Sequence, residues 1–257
     1  MKHKKISYKV TAQVKFDPST DTLPLRLDMV TMLEYLCDHK ITGTQSTGNF
    51  PLKAIREITA HFVKPPVLDT VIGNRTYKLR SEEDVWPLYF LHVLADAGGL
   101  LSGGRSRLIC LTLDGEKFLA APPINQIAYM FSTWWFAVNW LIAYPFEGMG
   151  ENLPRNFQKT TLAHLRTLTT EKWVGFDSFA DDLIKATRLK WTSQDKSFHR
   201  TALHGAIERM IIDILVKFGA AETKYRDKFI GEAKFQDLDQ FQITPFGGFL
   251  LNSLVPR

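Results

Sequence analysis

The sequence is poor in cysteine: only Cys37 and Cys110 occur in 257 residues. They lie far apart and lack a Cys-x-x-Cys spacing. This argues against a disulfide framework or a cysteine-based zinc site and fits reduced thiols in a cytoplasm. His199 and His204 stand five apart, not the three or four that share a helix face, and no other His or Cys pair has ligand spacing, so neither a metal nor a cofactor is expected. There is no Gly-x-Ser-x-Gly. The short run Ser102-Gly103-Gly104-Arg105 lacks the Gly-Lys-Ser/Thr ending of a phosphate loop, and neither cysteine has a local catalytic signature. Asp181-Asp182 reads as a solvated acidic pair on a helix surface. Nothing here asks for an enzyme, and no catalytic residue is assigned.

Other absences bear on location. The basic start Met1-Lys2-His3-Lys4-Lys5 is followed by alternation from Ile6 to Phe16 and not by an apolar run, so no secretory signal is read. No segment has low complexity. From Phe118 to Phe146 no side chain is charged, and the centre, Ile127 to Tyr144, approaches the ~20 apolar residues of a spanning helix. Asn125, Gln126, Ser132, Thr133 and Asn139 interrupt it, however, and its flanks (Glu116, Lys117, Glu147) carry no Lys/Arg cluster. One buried helix from about Ile124 to Tyr144 is therefore expected, with no membrane segment and a cytoplasmic location.

What is present is a pattern that occurs twice. Leu111-Thr112-Leu113-Asp114-Gly115-Glu116-Lys117-Phe118-Leu119 returns, altered, as Ile243-Thr244-Pro245-Phe246-Gly247-Gly248-Phe249-Leu250. Each copy follows an apolar helical run, a glycine stop and a hairpin-like stretch, which is how a winged-helix module ends. Residues 45% apolar and 23% charged are ordinary for a folded protein, and the length suits two domains. The expected fold is mainly α with small β-hairpin wings: two winged-helix-like modules joined by a buried aromatic-rich helix. The expected boundaries are an N-terminal strand or arm at 1–24, a first module with the Trp-rich helix at 25–148 and a second module at 149–253. Residues 254–257 read as a tag remnant.

Local signals fill in the elements. Ile6–Phe16 reads as a strand and Asp17–Asp21 as a loop. Asp28 is placed to cap a helix to about Cys37, with Met29, Leu33, Leu36 and Cys37 on one face. Pro51 opens a second helix to about Phe62. Ser81-Glu82-Glu83-Asp84 has capping-box spacing before Val85, Leu88, Leu91, Leu94 and Ala95, and Gly98-Gly99 supplies the stop. Strand, turn and strand follow through Leu111, and Thr112 caps a closing helix. Pro145–Pro154 marks the boundary. Helices are expected at Leu162–Leu168, Phe176–Lys190 and Ser197–Phe218, strands at Ala220–Phe229 and Phe235–Thr244 around a loop at Gly231, and a last helix at Phe246–Leu254.

Several blocks together resemble a known group. They are Gly48-Asn49-Phe50-Pro51-Leu52-Lys53, Arg80-Ser81-Glu82-Glu83-Asp84, Ala97-Gly98-Gly99-Leu100-Leu101, Leu-Thr-x-x-Gly-x-x-Phe-Leu at 111–119, Thr133-Trp134-Trp135 with Asn139-Trp140, and Ile243-Thr244-Pro245-Phe246-Gly247. In these the chain resembles bacterial proteins of the plasmid pRiA-type open-reading-frame family, over most of Leu25 to Leu251. The resemblance implies a soluble bacterial protein rich in winged helices and brings no reaction or catalytic residues. Gln45 departs from the pattern, which usually has threonine there.

A net charge of +5 permits contact with nucleic acid. The helix before the first wing begins with Glu82, Glu83 and Asp84 and carries Asp96, which repel phosphate, so it reads as a packing element. Arg105 and Arg107 at the first wing tip suit phosphate contacts, or form a solvated turn. The second module's helix carries Lys196, His199, Arg200, His204 and Arg209 against Asp195, Glu208 and Asp213, and its wing adds Lys224, Arg226 and Lys228. These suit a DNA reader, or a mixed solvated face with Arg209 paired to an acid. Trp134, Trp135 and Trp140 suit base stacking, a partner surface or core packing, with Asn139 as an acceptor for an indole N–H. The leading expectation is double-stranded DNA binding in a regulatory or mobile-element role through Arg200, Arg209, His204, Lys224, Arg226, Arg105 and Arg107. The alternative is a non-enzymatic scaffold that pairs with itself, as a homodimer, or with a protein partner.

Overall fold

The computed structural model describes residues 20–145, 148–149, 153–192, 196–230 and 233–254. The expected strand at Ile6–Phe16, the loop at Gly231, Asp195, the last three residues and part of Pro145–Pro154 lie outside them. The chain is mainly helical, with three small antiparallel sheets among the described residues. It divides into two compact units on either side of the Val138–Asn139 junction.

The first unit opens with α1 (Pro24–Asp38). Proline in its first turn starts the helix ahead of Asp28, because the fixed ring φ suits that position and the missing N–H costs nothing there. Asp28 is therefore not the cap expected from sequence; it lies inside α1, and its carboxylate accepts the Val63 N–H at 2.8 Å. Met29, Met32, Leu33 and Leu36 form the buried stripe. Cys37, expected on that stripe, falls past its edge in the last turn and is exposed. There follow β1 (Ile41–Thr42), α2 (Leu52–Ala60), β2 (Thr70–Ile72), β3 (Arg75–Tyr77), a single 3-10 turn at Glu82–Asp84 and α3 (Trp86–Ala97). The unit ends with β4 (Leu101–Gly104), β5 (Arg107–Leu111), α4 (Leu113–Leu119) and α5 (Pro123–Phe136). Val85, Leu88, Leu91, Leu94 and Ala95 are all buried, as their helical spacing requires. The Asp84 carboxylate accepts the Ser81 N–H, but it closes the 3-10 turn and not α3 itself.

The second unit holds α6 (Trp140–Ala143), α7 (Phe157–Thr167), β6 (Val174–Gly175), α8 (Phe176–Thr187), α9 (His199–Ile207), a wide π turn at Glu208–Ile212 and α10 (Asp213–Lys217). The hairpin β7 (Ala221–Ile230) and β8 (Ala233–Ile243) and the final α11 (Pro245–Ser253) complete it. From α9 through the π turn to α10 the backbone stays helical.

The two units share one order: helix, two-residue strand, helix, helix, hairpin, threonine-capped helix. In each, the short strand pairs with the second strand of the hairpin, giving sheets ordered β1-β5-β4 and β6-β8-β7. The joints match atom for atom. Gly99 and Gly219 end the preceding helices at φ 71° and 67°, a left-handed conformation that glycine adopts without strain. The next residues close the helix ends, Leu100 N–H to Ala95 O at 2.8 Å and Ala220 N–H to Leu215 O at 2.7 Å. Thr112 Oγ1 donates to Gly99 O at 2.7 Å and accepts the Gly115 N–H at 3.1 Å. Thr244 Oγ1 donates to Gly219 O at 2.8 Å and accepts the Gly247 N–H at 2.9 Å. The repeated Thr-x-x-Gly thus ties each closing helix to the stop of the helix before the hairpin. Thr244→Ala removes both bonds and should lower stability by about 1–2 kcal/mol, whereas Thr244→Ser should keep most of it. The urea midpoint of each variant checks this, and a midpoint unchanged by Thr244→Ala would refute it.

The single helix expected from Ile124 to Tyr144 is two. Ala137 and Val138 both donate to Thr133 O, ending α5, and the Asn139 side chain accepts the Leu141 N–H at 3.1 Å to start α6. An asparagine that caps a new turn competes with continuation of the old helix. Asn139 is used in this way and not as the expected acceptor for an indole. Trp134, Trp135 and Trp140 are buried, as the core-packing alternative has it. Trp134 lies 5.4 Å from the Phe90 ring in the first unit, and Trp140 lies edge-on to Phe157 at 6.0 Å in the second. Among the described residues no helix is long and apolar enough to cross a membrane.

Candidate nucleic-acid interface

In the first unit the tip of the β4–β5 hairpin rests on the segment that leads into α2. Gly43 donates to Arg107 O at 3.0 Å and accepts the Ser106 N–H at 3.2 Å. A Cβ on Gly43 would stand 2.3 Å from Gly104 O, so the two backbones meet only because that residue is glycine. The result is a fixed tip that exposes Arg105, Ser106 and Arg107 beside the exposed Gln45, Ser46 and Thr47. Neither arginine forms an ion pair among the described residues.

The helix before this hairpin, α3, contains neither Lys nor Arg. Its histidine, His92, is turned to the interior: Nδ1 lies 2.8 Å from Glu82 Oε1, and the ring stacks on Phe50 at 4.4 Å. Glu82 is fully buried and also accepts the Phe50 N–H at 2.6 Å. This interior pair packs α3 against the segment that leads into α2, and Glu82, expected to repel phosphate, is buried away from the surface.

In the second unit three of the residues singled out from sequence converge. Asp177 and Asp181 lie one turn apart on α8, and His204 of α9 sits between them, only 8% exposed. Its Nδ1 is 3.2 Å from Asp177 and its Nε2 is 2.8 Å from Asp181. Each ring nitrogen thus faces one of the two carboxylates. Arg200 grips Asp181 with both forks, Nε at 3.0 Å and Nη2 at 2.8 Å. These hydrogen bonds hold the Asp181 carboxyl down to about 2. Arg226 on β7 donates to Asp177 at 3.0 Å, Asp237 at 2.9 Å and Asp239 at 3.1 Å. Partial burial works against ionisation of Asp177, but the Arg226 and His204 contacts outweigh it and its pKa is lowered. Asp181 is exposed on the helix surface, as expected from sequence, but it is also paired, because Arg200 and His204 of α9 both reach it.

Lys228 joins this network through Asp237 at 3.6 Å, whereas Arg209 and Lys224 stand apart from it. Arg209 is exposed on the π turn and forms no close ion pair among the described residues, although its charge acts on the nearby Glu208 and Asp213. Its neighbours there are acids: burial pushes Glu208 up to about 7, with Asp213 adding to the shift, and burial raises Asp213 in turn. Lys224 Nζ lies 3.8 Å over the Trp173 ring, a cation–π contact. Among the described residues no group of His, Cys, Asp and Glu is arranged to hold a metal ion.

Sequence reasoning named the cations and missed their partners. Two signals pointed to them. Asp177 and Asp181 share a helix face at i, i+4, and Asp237 and Asp239 share a strand face at i, i+2. Asp237 is also the direct cross-strand neighbour of Arg226. That the faces meet is decided by the packing of α8 against α9 and β8.

No family model and no curated protein sequence matches the chain. The chain is similar to the solved structure of the restriction endonuclease FokI bound to DNA, at 15% identity and a TM-score of 0.33, over 92% of this chain and 41% of that one. It thus spans about two-fifths of that protein's length, and a likeness at this level fixes neither fold nor function.

Proposed function

We propose that the chain is a protein of two winged-helix modules that binds double-stranded DNA, with the β4–β5 hairpin as a wing on the phosphate backbone. The repeated element order and the addition of each short strand to the second hairpin strand support the winged-helix reading. The observation that carries the DNA reading is the fixed hairpin tip with Arg105 and Arg107 exposed and unpaired. Guanidinium groups without an internal partner are available to phosphate, and such contacts position a protein on a duplex without reading its sequence. Arg209, exposed on the long third helix of the second module, is the candidate contact there. The regulatory or mobile-element role rests on the module order and the charge placement in the sequence.

The test is binding to a random-sequence duplex across a salt series. Arg105→Ala with Arg107→Ala should weaken binding about tenfold at low salt and flatten the salt slope by about 2, close to one per lost phosphate contact. An unchanged affinity and slope would overturn this assignment.

A second reading, a dimerisation or protein-interaction scaffold, is favoured by one observation. The second unit's Arg200, His204 and Arg226 are already satisfied by aspartates. A dimer mass by size exclusion together with no duplex binding at low salt would establish it over the first.

A further inference from the structure

We propose that Asp177 and Asp181 form an internal clamp that occupies Arg200 and Arg226 in place of phosphate, so that the second unit is held in a self-paired, weakly binding state. The proposal rests on the DNA reading above and adds a regulation to it.

The geometry is that of competition. A carboxylate offers guanidinium the same two-oxygen face that a phosphate does, and Arg200 meets Asp181 through both forks. Arg226 meets three aspartates at once, one on α8 and two on β8. The clamp therefore spans three elements: the helix that precedes the long third helix, the start of that helix, and the hairpin. In a winged-helix frame the last two are the elements that face a duplex. His204, buried between the two aspartates, fixes where both carboxylates stand. The arginines themselves are not buried. The side chains of Arg200 and Arg226 are 62% and 46% exposed, so the pairs are screened, individually weak and reversible. A duplex, with one charge every ~1.7 Å, is the kind of polyanion that can displace them. The clamp sets a threshold for binding and does not block it.

The experiment uses the full chain and a random-sequence duplex over a salt series. Asp177→Asn with Asp181→Asn keeps side-chain shape and removes both charges. Duplex affinity at low salt should rise about tenfold, and the slope should steepen by about 1 as Arg200, whose ion pair is with Asp181, takes a phosphate while Arg226 keeps Asp237 and Asp239. Adding Arg200→Ala and Arg226→Ala to that variant should return both readings to wild type. Glu171→Gln with Asp182→Asn changes net charge equally at exposed positions outside the clamp and should leave affinity nearly unchanged. An equal gain in that control would mean general charge and overturn the clamp. If circular dichroism shows the clamp variant unfolded, Asp181→Asn alone releases Arg200, leaves His204 its Asp177 partner and should steepen the slope by about 1; no change there overturns the proposal. Wild-type binding that depends on Arg105 and Arg107, with a folded clamp variant that binds no tighter, sinks the clamp alone. Absence of duplex binding by wild type and clamp variant alike sinks the DNA reading with it.

Discussion

Replacing Glu82 by alanine should destabilise the first unit by about 3–5 kcal/mol. Glu82 is fully buried, and its two carboxylate oxygens serve two different partners: the Phe50 N–H at 2.6 Å and His92 Nδ1 at 2.8 Å. Phe50 precedes Pro51, the residue at the start of α2, and His92 belongs to α3. One side chain therefore holds the beginning of one helix against the face of another. Alanine leaves a buried N–H without an acceptor and an interior histidine without its carboxylate, and an orphaned polar group loses its full desolvation cost with nothing in return. Glu82→Gln keeps an acceptor and should lose about half as much. Urea denaturation measures both, and a double-mutant cycle with His92→Ala separates the histidine bond from the backbone bond. A loss for Glu82→Ala below about 1 kcal/mol would show that the pair is incidental.

Gly247→Ala should cost about 3 kcal/mol or more. A Cβ there would stand 1.9 Å from Ala220 O, with Ala220 C and Cα at 2.7 and 2.8 Å. All three are backbone atoms of the residue whose carbonyl accepts the Thr244 N–H at 3.1 Å. Relief requires α11 to move off the glycine stop, and that breaks the threonine cap. Gly115→Ala in the first unit should act in the same way, since its Cβ would meet Leu100 O at 2.4 Å. The internal comparison is Gly205→Ala: this glycine lies within α9, nothing stands within 4 Å of its Cβ, and alanine should stabilise by up to about 1 kcal/mol. Thermal and urea unfolding of the three variants test the contrast. Equal effects at Gly247 and Gly205 would mean that the repeated glycine is not forced by the close approach.

The Thr-x-x-Gly repeat was readable because a cap and a close approach leave local chemical traces. Threonine, then glycine three residues on, after a glycine stop and a hairpin, is a pattern that few structures satisfy. The helical stripes of α1 and α3 were readable for a similar reason, since burial on one face repeats every three or four residues. The β1 and β6 strands were not readable. Two residues carry no periodicity, and each becomes a strand only because the second strand of a hairpin lies beside it. The short ribbon β2–β3 did leave a local signal, Gly73-Asn74 between two β-prone triplets. The break at Ala137–Asn139 was hidden within an uncharged run, where composition continues although the helix stops.

The division for the candidate interface is similar. Sequence alone determined which residues carry positive charge and that Arg105 and Arg107 sit at a hairpin tip, Arg105 in the turn and Arg107 at the start of β5. Those are properties of neighbours in the chain. Only the tertiary structure decided which cations are spent within the protein. Arg200 and Asp181 are 19 residues apart, and Arg226 and Asp177 are 49 apart, far beyond any local pattern. Ion pairing falls off over a few ångströms, so whether an arginine is free or clamped depends on which faces the fold brings together.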